Sequence, residues 1–151
     1  MVYYADTSVL AKRHLEEIGR TWVRLLTKPA ANNTIFTAQI SLVELYSALN
    51  RQLRKKSFSN LRYSRLSSVV SRIWNSQYLT VSTTAQVLEI ARQFVELHPL
   101  KAYDAVQLAS AIRVRQTMPP GSPPITFLSA DNQLLSAAVA EGFSTDNPNL
   151  H

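Results

Sequence analysis

Short β-rich segments alternate with longer helical patterns along this chain, and this alternation limits the available folds more than any other feature. The apolar run at residues 2–5 and the β-rich segments at 34–37, 79–82 and 125–128 are candidate strands. Residues 143–145 form a candidate fifth strand at an edge. Strands separated by helices are typical of a parallel sheet covered on both faces. The pattern predicts a three-layer α/β/α sandwich around a mostly parallel sheet of four to five strands.

The segments between the predicted strands repeat apolar residues at the spacing of amphipathic helices. Thr7 or Ser8 is a candidate cap for the first helix, Ser57 for the fourth, and Thr83 or Thr84 for the fifth. A loop is expected where prolines cluster before the fourth strand. The predicted helices cover about 7–14, 16–26, 38–55, 57–77, 83–98, 102–116 and 131–141, and the loop covers 118–124.

The length and composition suit a protein with one apolar core. The chain has 151 residues, 46% of them hydrophobic, and we expect a single domain over residues 1–151. Cysteine is absent, which excludes disulfides, zinc–thiolate sites and cysteine nucleophiles. No apolar run reaches the roughly 18 residues of a membrane span, and the first residues lack the basic start of a secretory signal. These features predict a cytoplasmic protein without membrane contact.

Four of the ten acidic residues lie in apolar surroundings. Asp6 directly follows the first strand, Asp131 follows the fourth, Asp104 opens a helix, and Glu44 stands inside an apolar helix. The carboxyl ends of parallel strands meet at one edge of a sheet, where ligands bind. A lone carboxylate is costly to bury. One shared site explains the four positions better than four separate accidents.

Each acid also has a structural explanation when it is taken singly. Asp6 is a possible turn residue, and Glu44 is a possible solvent-facing helix residue. Asp104 and Asp131 are possible first-turn residues that answer the helix dipole, a contribution of roughly 0.3–1 kcal/mol each. For each acid considered singly, the structural explanation remains an alternative to a role in a shared site.

A shared site would concentrate negative charge that needs compensation. Two carboxylates about 4 Å apart repel by about 4 kcal/mol at an effective dielectric near 20. Protons or cations must relieve that repulsion. Oxygen ligands without cysteine or nearby histidine select hard cations, so we expect Mg²⁺ or Mn²⁺. Such ions polarise phosphoryl oxygens and lower the pKa of bound water, which is the chemistry of phosphodiester hydrolysis.

Basic residues dominate the stretch between Glu44 and Glu89, which contains no acid. The net charge of +6 also favours a polyanionic partner. Phosphate backbones bind such surfaces in a salt-dependent and largely sequence-independent way. The alternatives are a solvated helix face or a docking surface for an acidic protein. The candidate contacts for RNA or a partner are Arg51, Arg54, Lys55 and Lys56, and Arg62, Arg65 and Arg72 continue the series.

Four segments together resemble the PIN-domain family, and most closely its VapC-type toxins. The resemblance covers Val2 to Pro148 and keeps the family order of the motifs. It is carried by the order and spacing of the motifs, since no single one is specific. The matching segments are Tyr4 to Leu10, Ser41 to Leu45, Leu100 to Ala109 and Phe127 to Leu134, with Asp146 to Pro148 at the end.

The resemblance implies a magnesium- or manganese-dependent endoribonuclease, a homodimer and inhibition by a partner antitoxin. Under it, Asp6 and Asp104 would be the principal metal ligands. Glu44 and Asp131 would complete the acidic pocket directly or through water. Beside them, Ser8 or Thr7 would either hydrogen-bond a ligand carboxylate or simply cap the helix.

Two other functions remain open at this point. Residues 57–77 and 118–124 make the chain longer than a compact toxin, which leaves room for a non-toxin PIN nuclease. A catalytically silent RNA- or protein-binding module would keep the fold and the basic surface. Rossmann and P-loop sites are excluded because the three glycines are far apart. We expect the tryptophans and tyrosines in the core or in an interface.

Overall fold

The computed structural model describes residues 1–151, and its centre is a five-stranded sheet of order β3-β2-β1-β4-β5. Every neighbouring pair of strands is parallel, so the sheet is fully rather than mostly parallel. The predicted α/β class is confirmed, and the candidate fifth strand exists. The strands are β1 (Val2–Ala5), β2 (Thr34–Ala38), β3 (Leu79–Val81), β4 (Ile125–Leu128) and β5 (Ser144–Asp146).

Seven α-helices surround the sheet, as the sequence predicts. None of them combines the length and the apolar composition that crossing a lipid bilayer requires. The helices are α1 (Thr7–His14), α2 (Arg20–Thr27), α3 (Ser41–Arg54), α4 (Asn60–Gln77), α5 (Ala85–Leu97), α6 (Ala102–Thr117) and α7 (Asn132–Ala140). Two 3₁₀ turns cover Pro29–Ala31 and Pro148–Leu150.

The cap of α1 differs from the prediction. Asp6 occupies the N-cap position, and its Oδ1 accepts a hydrogen bond from the Val9 amide at 3.0 Å. Thr7 and Ser8 lie inside the helix because their hydroxyls donate to other acids, Thr7 to Glu44 and Ser8 to Asp6. The first candidate acid is therefore also the residue that starts the first helix.

Other helix boundaries shift by a few residues. Ser59, rather than Ser57, caps α4 by accepting from the Arg62 amide at 3.1 Å, whereas Thr84 caps α5 within the predicted pair. Helix α2 starts at 20 instead of 16 because Gly19 before it has a left-handed backbone, with φ of 82°. Helix α3 starts after β2 has ended, at 41 rather than 38.

Side chains of β1 alternate between two hydrophobic clusters on opposite faces of the sheet. Tyr4 stacks on Phe127 at 5.2 Å between ring centroids and packs beneath α5, α6 and α7. Tyr3 and Ala5 belong to the cluster beneath α1, α2, α3 and α4. Both faces of the sheet are therefore covered, and functional groups can gather only at its edges and ends.

The strand order reverses next to β1. From β1 the chain adds β2 and β3 on one side and then returns to place β4 and β5 on the other. A crevice forms at such a reversal, beyond the carboxyl ends of the strands. The Asp6 amide extends the pairing there by donating to the Leu128 carbonyl at 3.1 Å. This fold therefore places the residues after β1 and after β4 side by side.

Candidate active site

Asp6 is the buried centre of this crevice. It is 5% exposed, and both of its carboxylate oxygens accept hydrogen bonds. The Ser8 hydroxyl donates to Oδ1 at 2.6 Å, and the Ser129 hydroxyl donates to Oδ2 at 2.8 Å. Because β1 ends at Ala5 and α1 begins at Thr7, the carboxylate has little room to move.

Ser129 and Ser8 also tie the two strand ends together. The Ser8 hydroxyl accepts from the Ala130 amide at 2.8 Å, and the Ser129 hydroxyl accepts from the Asp131 amide at 3.0 Å. Ser8 was among the sequence candidates, whereas Ser129 was missed. Its signal in the sequence is its place directly after a buried strand that pairs with β1.

Glu44 is held by a second set of hydrogen bonds. The Thr7 hydroxyl donates to its Oε2, and the Gln107 amide nitrogen donates to the same oxygen at 3.1 Å. Helix α3 is not as buried as the sequence suggests, because Glu44 is half-exposed and Val43 beside it is exposed. The carboxylate nevertheless lies against α1 and α6, where its oxygen is fixed by two donors.

Gln107 is the main functional candidate that sequence reasoning missed. It is 2% exposed and accepts a hydrogen bond from the Tyr4 hydroxyl at 2.8 Å while it donates to Ser41 at 2.9 Å and to Glu44. A polar residue three positions after Asp104 in an otherwise apolar stretch was the available signal. Its amide links the sheet, α3 and α6 behind the acids.

Asp104 and Asp131 form the more open side of the crevice. Asp104 lies in the first turn of α6 and is half-buried. Asp131 is the exposed N-cap of α7, and its Oδ1 accepts from the Gln133 and Leu134 amides at 2.8 and 3.2 Å. The structural explanations raised for these residues describe their helical positions correctly. These helical roles leave one carboxylate oxygen free, since only Oδ1 of Asp131 accepts hydrogen bonds and Oδ2 accepts none.

The acids act on one another electrostatically. Burial raises the pKa of Asp6 from 3.8 to about 6, and the negative charge of Asp104 adds to that rise. Burial also raises the pKa of Asp104, with contributions from the charges of Asp131 and Glu44. All four acids therefore belong to one electrostatic neighbourhood. Positions 6 and 104 lie on the same side of the molecule, although nearly a hundred residues separate them.

The donor chemistry of this neighbourhood fits a hard divalent cation. Its acidic groups are carboxylates, with Lys101 as a cation close to Asp104. A bound metal ion would relieve the repulsion that adds to burial in raising the pKa values of Asp6 and Asp104. No group of three or more acidic or histidine side chains is arranged to hold one ion as it stands. A cation bound here would start from fewer than three of these carboxylates and would take its other ligands from water or from rotated side chains.

A groove of about 350 Å³ connects Glu44, alone of the four candidate acids, to part of the basic surface. It lies between α1 and α3 and is lined by Ser8, Lys12, Glu44 and Arg51 among other residues. The other three basic candidates, Arg54, Lys55 and Lys56, are exposed at the end of α3 and do not line it. Of these four basic residues, only Arg51 therefore shares a cavity with a candidate acid.

The fold and the acidic crevice define a parallel α/β protein with its polar site at the sheet reversal. The chain belongs to the PIN domain family, whose model matches residues 3–139. That span contains all four candidate acids. A comparison with curated protein sequences finds no match.

Solved structures with the same fold include proteins of toxin–antitoxin systems. Mycobacterium tuberculosis VapC20, described as a sarcin–ricin loop cleaving toxin, has a TM-score of 0.64 at 19% identity, with 93% of this chain and 95% of that chain covered. FitAcB from Neisseria gonorrhoeae has a TM-score of 0.63 at 16% identity, with 98% of each chain covered. VapBC2 from Rickettsia felis, bound to a promoter DNA fragment, has a TM-score of 0.60 at 16% identity, with 97% and 98% covered. At these identities the similarity establishes the fold.

Proposed function

We propose that this protein is a metal-dependent endoribonuclease and the toxin of a toxin–antitoxin pair. The observation that carries the proposal is the gathering of Asp6, Glu44, Asp104 and Asp131 into one electrostatic neighbourhood at the sheet reversal. A cluster of neighbouring carboxylates is a poor binding module for RNA by itself, because it repels phosphate. It becomes useful when a cation neutralises it.

Asp6 and Asp104 would hold Mg²⁺ or Mn²⁺, and Glu44 and Asp131 would complete the site directly or through water. The cation supplies a polarised phosphoryl oxygen and a water molecule of lowered pKa. Ser8 and Ser129 hold the Asp6 carboxylate in one orientation through its two oxygens. This fixed orientation limits the reorganisation that binding would otherwise require.

The groove between α1 and α3 suits an RNA strand that approaches the acids. Arg51 lines the groove together with Glu44, so a phosphate bound there would lie close to the acidic crevice. Arg54, Lys55 and Lys56 would attract further phosphates from the exposed end of α3. In this arrangement the basic residues at the end of α3 would bind the RNA backbone, and the acids would bind the metal ion.

The toxin assignment draws on the solved relatives. VapC20 is described as a toxin that cleaves the sarcin–ricin loop, and another relative is a toxin–antitoxin complex from Klebsiella pneumoniae. By analogy with these structures, we assign this chain an antitoxin partner. We add a homodimeric state, which the family resemblance implies, and action in the cytoplasm. A short adjacent reading frame for a DNA-binding protein would support the pair, and growth arrest on expression that this second protein relieves would test it.

A cleavage assay tests the nuclease proposal. Purified protein is incubated with structured RNA in Mn²⁺, in Mg²⁺ and in chelator. We expect cleavage only with metal, and Asp104→Asn should lower the rate at least about a hundredfold, because the site loses several kcal/mol of charge stabilisation. Glu89→Gln is the matched control, since Glu89 is an exposed carboxylate of α5 that pairs with Arg92.

Three outcomes of this assay would contradict the proposal. Cleavage that persists in chelator would exclude the metal mechanism. Full activity of Asp104→Asn would remove the acid from the reaction. RNA binding without any cleavage, in either metal, would favour the silent binding module instead.

A further inference from the structure

Tyr103 is the one aromatic side chain that the structure leaves exposed. It is 57% exposed, whereas the other twelve aromatic side chains are buried or half-buried. Its hydroxyl makes no hydrogen bond, and its ring stacks on no other aromatic ring. Of the two places expected for the tyrosines, the core or an interface, the core is therefore excluded for Tyr103, and its ring stacks on no other ring of the chain.

The position of Tyr103 places it at the acidic crevice. It stands in the first turn of α6 directly before Asp104. Residues three and four positions apart are neighbours on a helix surface, so Asp104 and Tyr103 both lie one turn before Gln107. Gln107 donates to Glu44 at 3.1 Å. The backbone of Tyr103 therefore adjoins Asp104 and lies one helical turn from the residue that binds Glu44.

Val43 repeats this arrangement on the facing helix. It is 63% exposed and directly precedes Glu44 in α3. A single exposed apolar side chain is ordinary on a protein surface. Here, however, an exposed aromatic and an exposed aliphatic side chain each adjoin a different candidate acid. The residue that directly precedes each of these two acids in sequence therefore has an exposed, uncharged side chain.

We propose that Tyr103 is a substrate-positioning residue on whose ring an unpaired nucleobase next to the scissile phosphate stacks. This inference rests on the proposed nuclease function and specifies how that site would receive RNA. Every base has a π-face, so such a stack tolerates different sequences. A base within a helix already uses its faces for stacking on its neighbours. The nucleotide at the cut must therefore be unstacked, as in a loop or a single strand.

Kinetics on abasic substrates test this role. The cut site is first mapped in an RNA that the wild-type protein cleaves, and abasic nucleotides then replace the base on either side of it. Tyr103→Ala should lower kcat/KM on the intact RNA about tenfold, mostly through KM, because one base–aromatic stack is lost. Tyr103→Phe and Tyr103→Trp should retain most of the activity. Val139→Ala, an exposed apolar side chain in the last turn of α7, is the matched control.

The abasic substrates identify the stacked base. Removing the base that contacts Tyr103 should slow the wild type about tenfold and leave Tyr103→Ala almost unchanged, because both changes delete the same contact. Equal activity of Tyr103→Ala and wild type would overturn the inference. So would a loss that remains the same on both abasic substrates. A wild-type protein that cleaves no RNA would instead refute the proposed function.

Discussion

The two sides of the acidic crevice are built differently. On the hydrogen-bonded side, Asp6 accepts from the Ser8 and Ser129 hydroxyls, and the half-exposed Glu44 accepts from Thr7 and Gln107. On the open side, Asp104 and Asp131 stand in the first turn or at the cap of a helix.

The difference separates orientation from adaptability. Fixed donors orient Asp6 and Glu44, and the burial of Asp6 raises its pKa to about 6. On the open side, Asp131 accepts from backbone amides at the positive end of the α7 dipole, where a negative charge is stabilised. A cation bound between the two sides would therefore meet the fixed carboxylates of Asp6 and Glu44 and the more adjustable carboxylates of Asp104 and Asp131.

The pH dependence of stability should differ most between the two sides. The folded-state pKa of Asp6 is raised from 3.8 to about 6, so its protonated form favours folding. Its stabilisation is fully present below 3.8 and is lost as the pH rises through about 6. A rise of this size corresponds to about 3 kcal/mol. Urea unfolding in chelator should show this loss in wild type and not in Asp6→Asn.

Asp104→Asn provides the comparison for this measurement. The pKa of Asp104 is raised as well, with burial as the largest cause, but its carboxyl is only half-buried. Removing it should therefore flatten the pH dependence less than removing Asp6. Divalent metal should restore wild-type stability at neutral pH. If the free energy of unfolding of Asp6→Asn depended on pH as that of the wild type does, burying the charge of Asp6 would cost little free energy.

Gln107→Leu should produce the next largest effect. The substitution removes the hydrogen bonds that the Gln107 amide makes to the Tyr4 hydroxyl, to Ser41 and to Glu44. We expect the free energy of unfolding to fall by about 2 kcal/mol, because buried polar groups lose hydrogen bonds. Gln116→Leu is the control on the same helix, since Gln116 is exposed. A loss equal to that of the control would show that the network contributes little to stability.

The layers of the fold could be predicted from local sequence, which also singled out the four candidate acids. Alternating β-rich and amphipathic segments report strands and helices, and an acid after an apolar strand is visible within five residues. Gln107 and Ser129 could not be recognised in this way. Their partners lie more than 60 and more than 120 positions away, at Glu44 and Asp6. Such pairings depend on the strand order, which local periodicity does not encode.

Capping shows the same limit at shorter range. The sequence predicts Thr7 or Ser8 as the N-cap residue of α1, since hydroxyl residues are favoured at this position. Asp6 takes the position because Ser8 and Thr7 donate to carboxylates instead. Local propensity permits all three residues, and the long-range network selects among them.

Asp131 tests whether the open side contributes more than a helix cap. Asp131→Ala should lower the free energy of unfolding by about 1 kcal/mol, whereas Asp131→Asn should change it little, because asparagine caps helices as well as aspartate does. Both variants remove the same negative charge. If that charge serves the reaction, both should lose cleavage activity to a similar extent, less than Asp104→Asn does.

The control for this comparison is a cap away from the crevice. Ser59→Ala removes the side chain that caps α4 and should lower stability by a similar amount without changing cleavage. If Asp131→Asn cleaves RNA as fast as wild type while Asp131→Ala is impaired in step with its stability, Asp131 acts only as a cap. Asp104 would then be the only functional acid on the open side, and water rather than a second carboxylate would complete the ligands of the cation there.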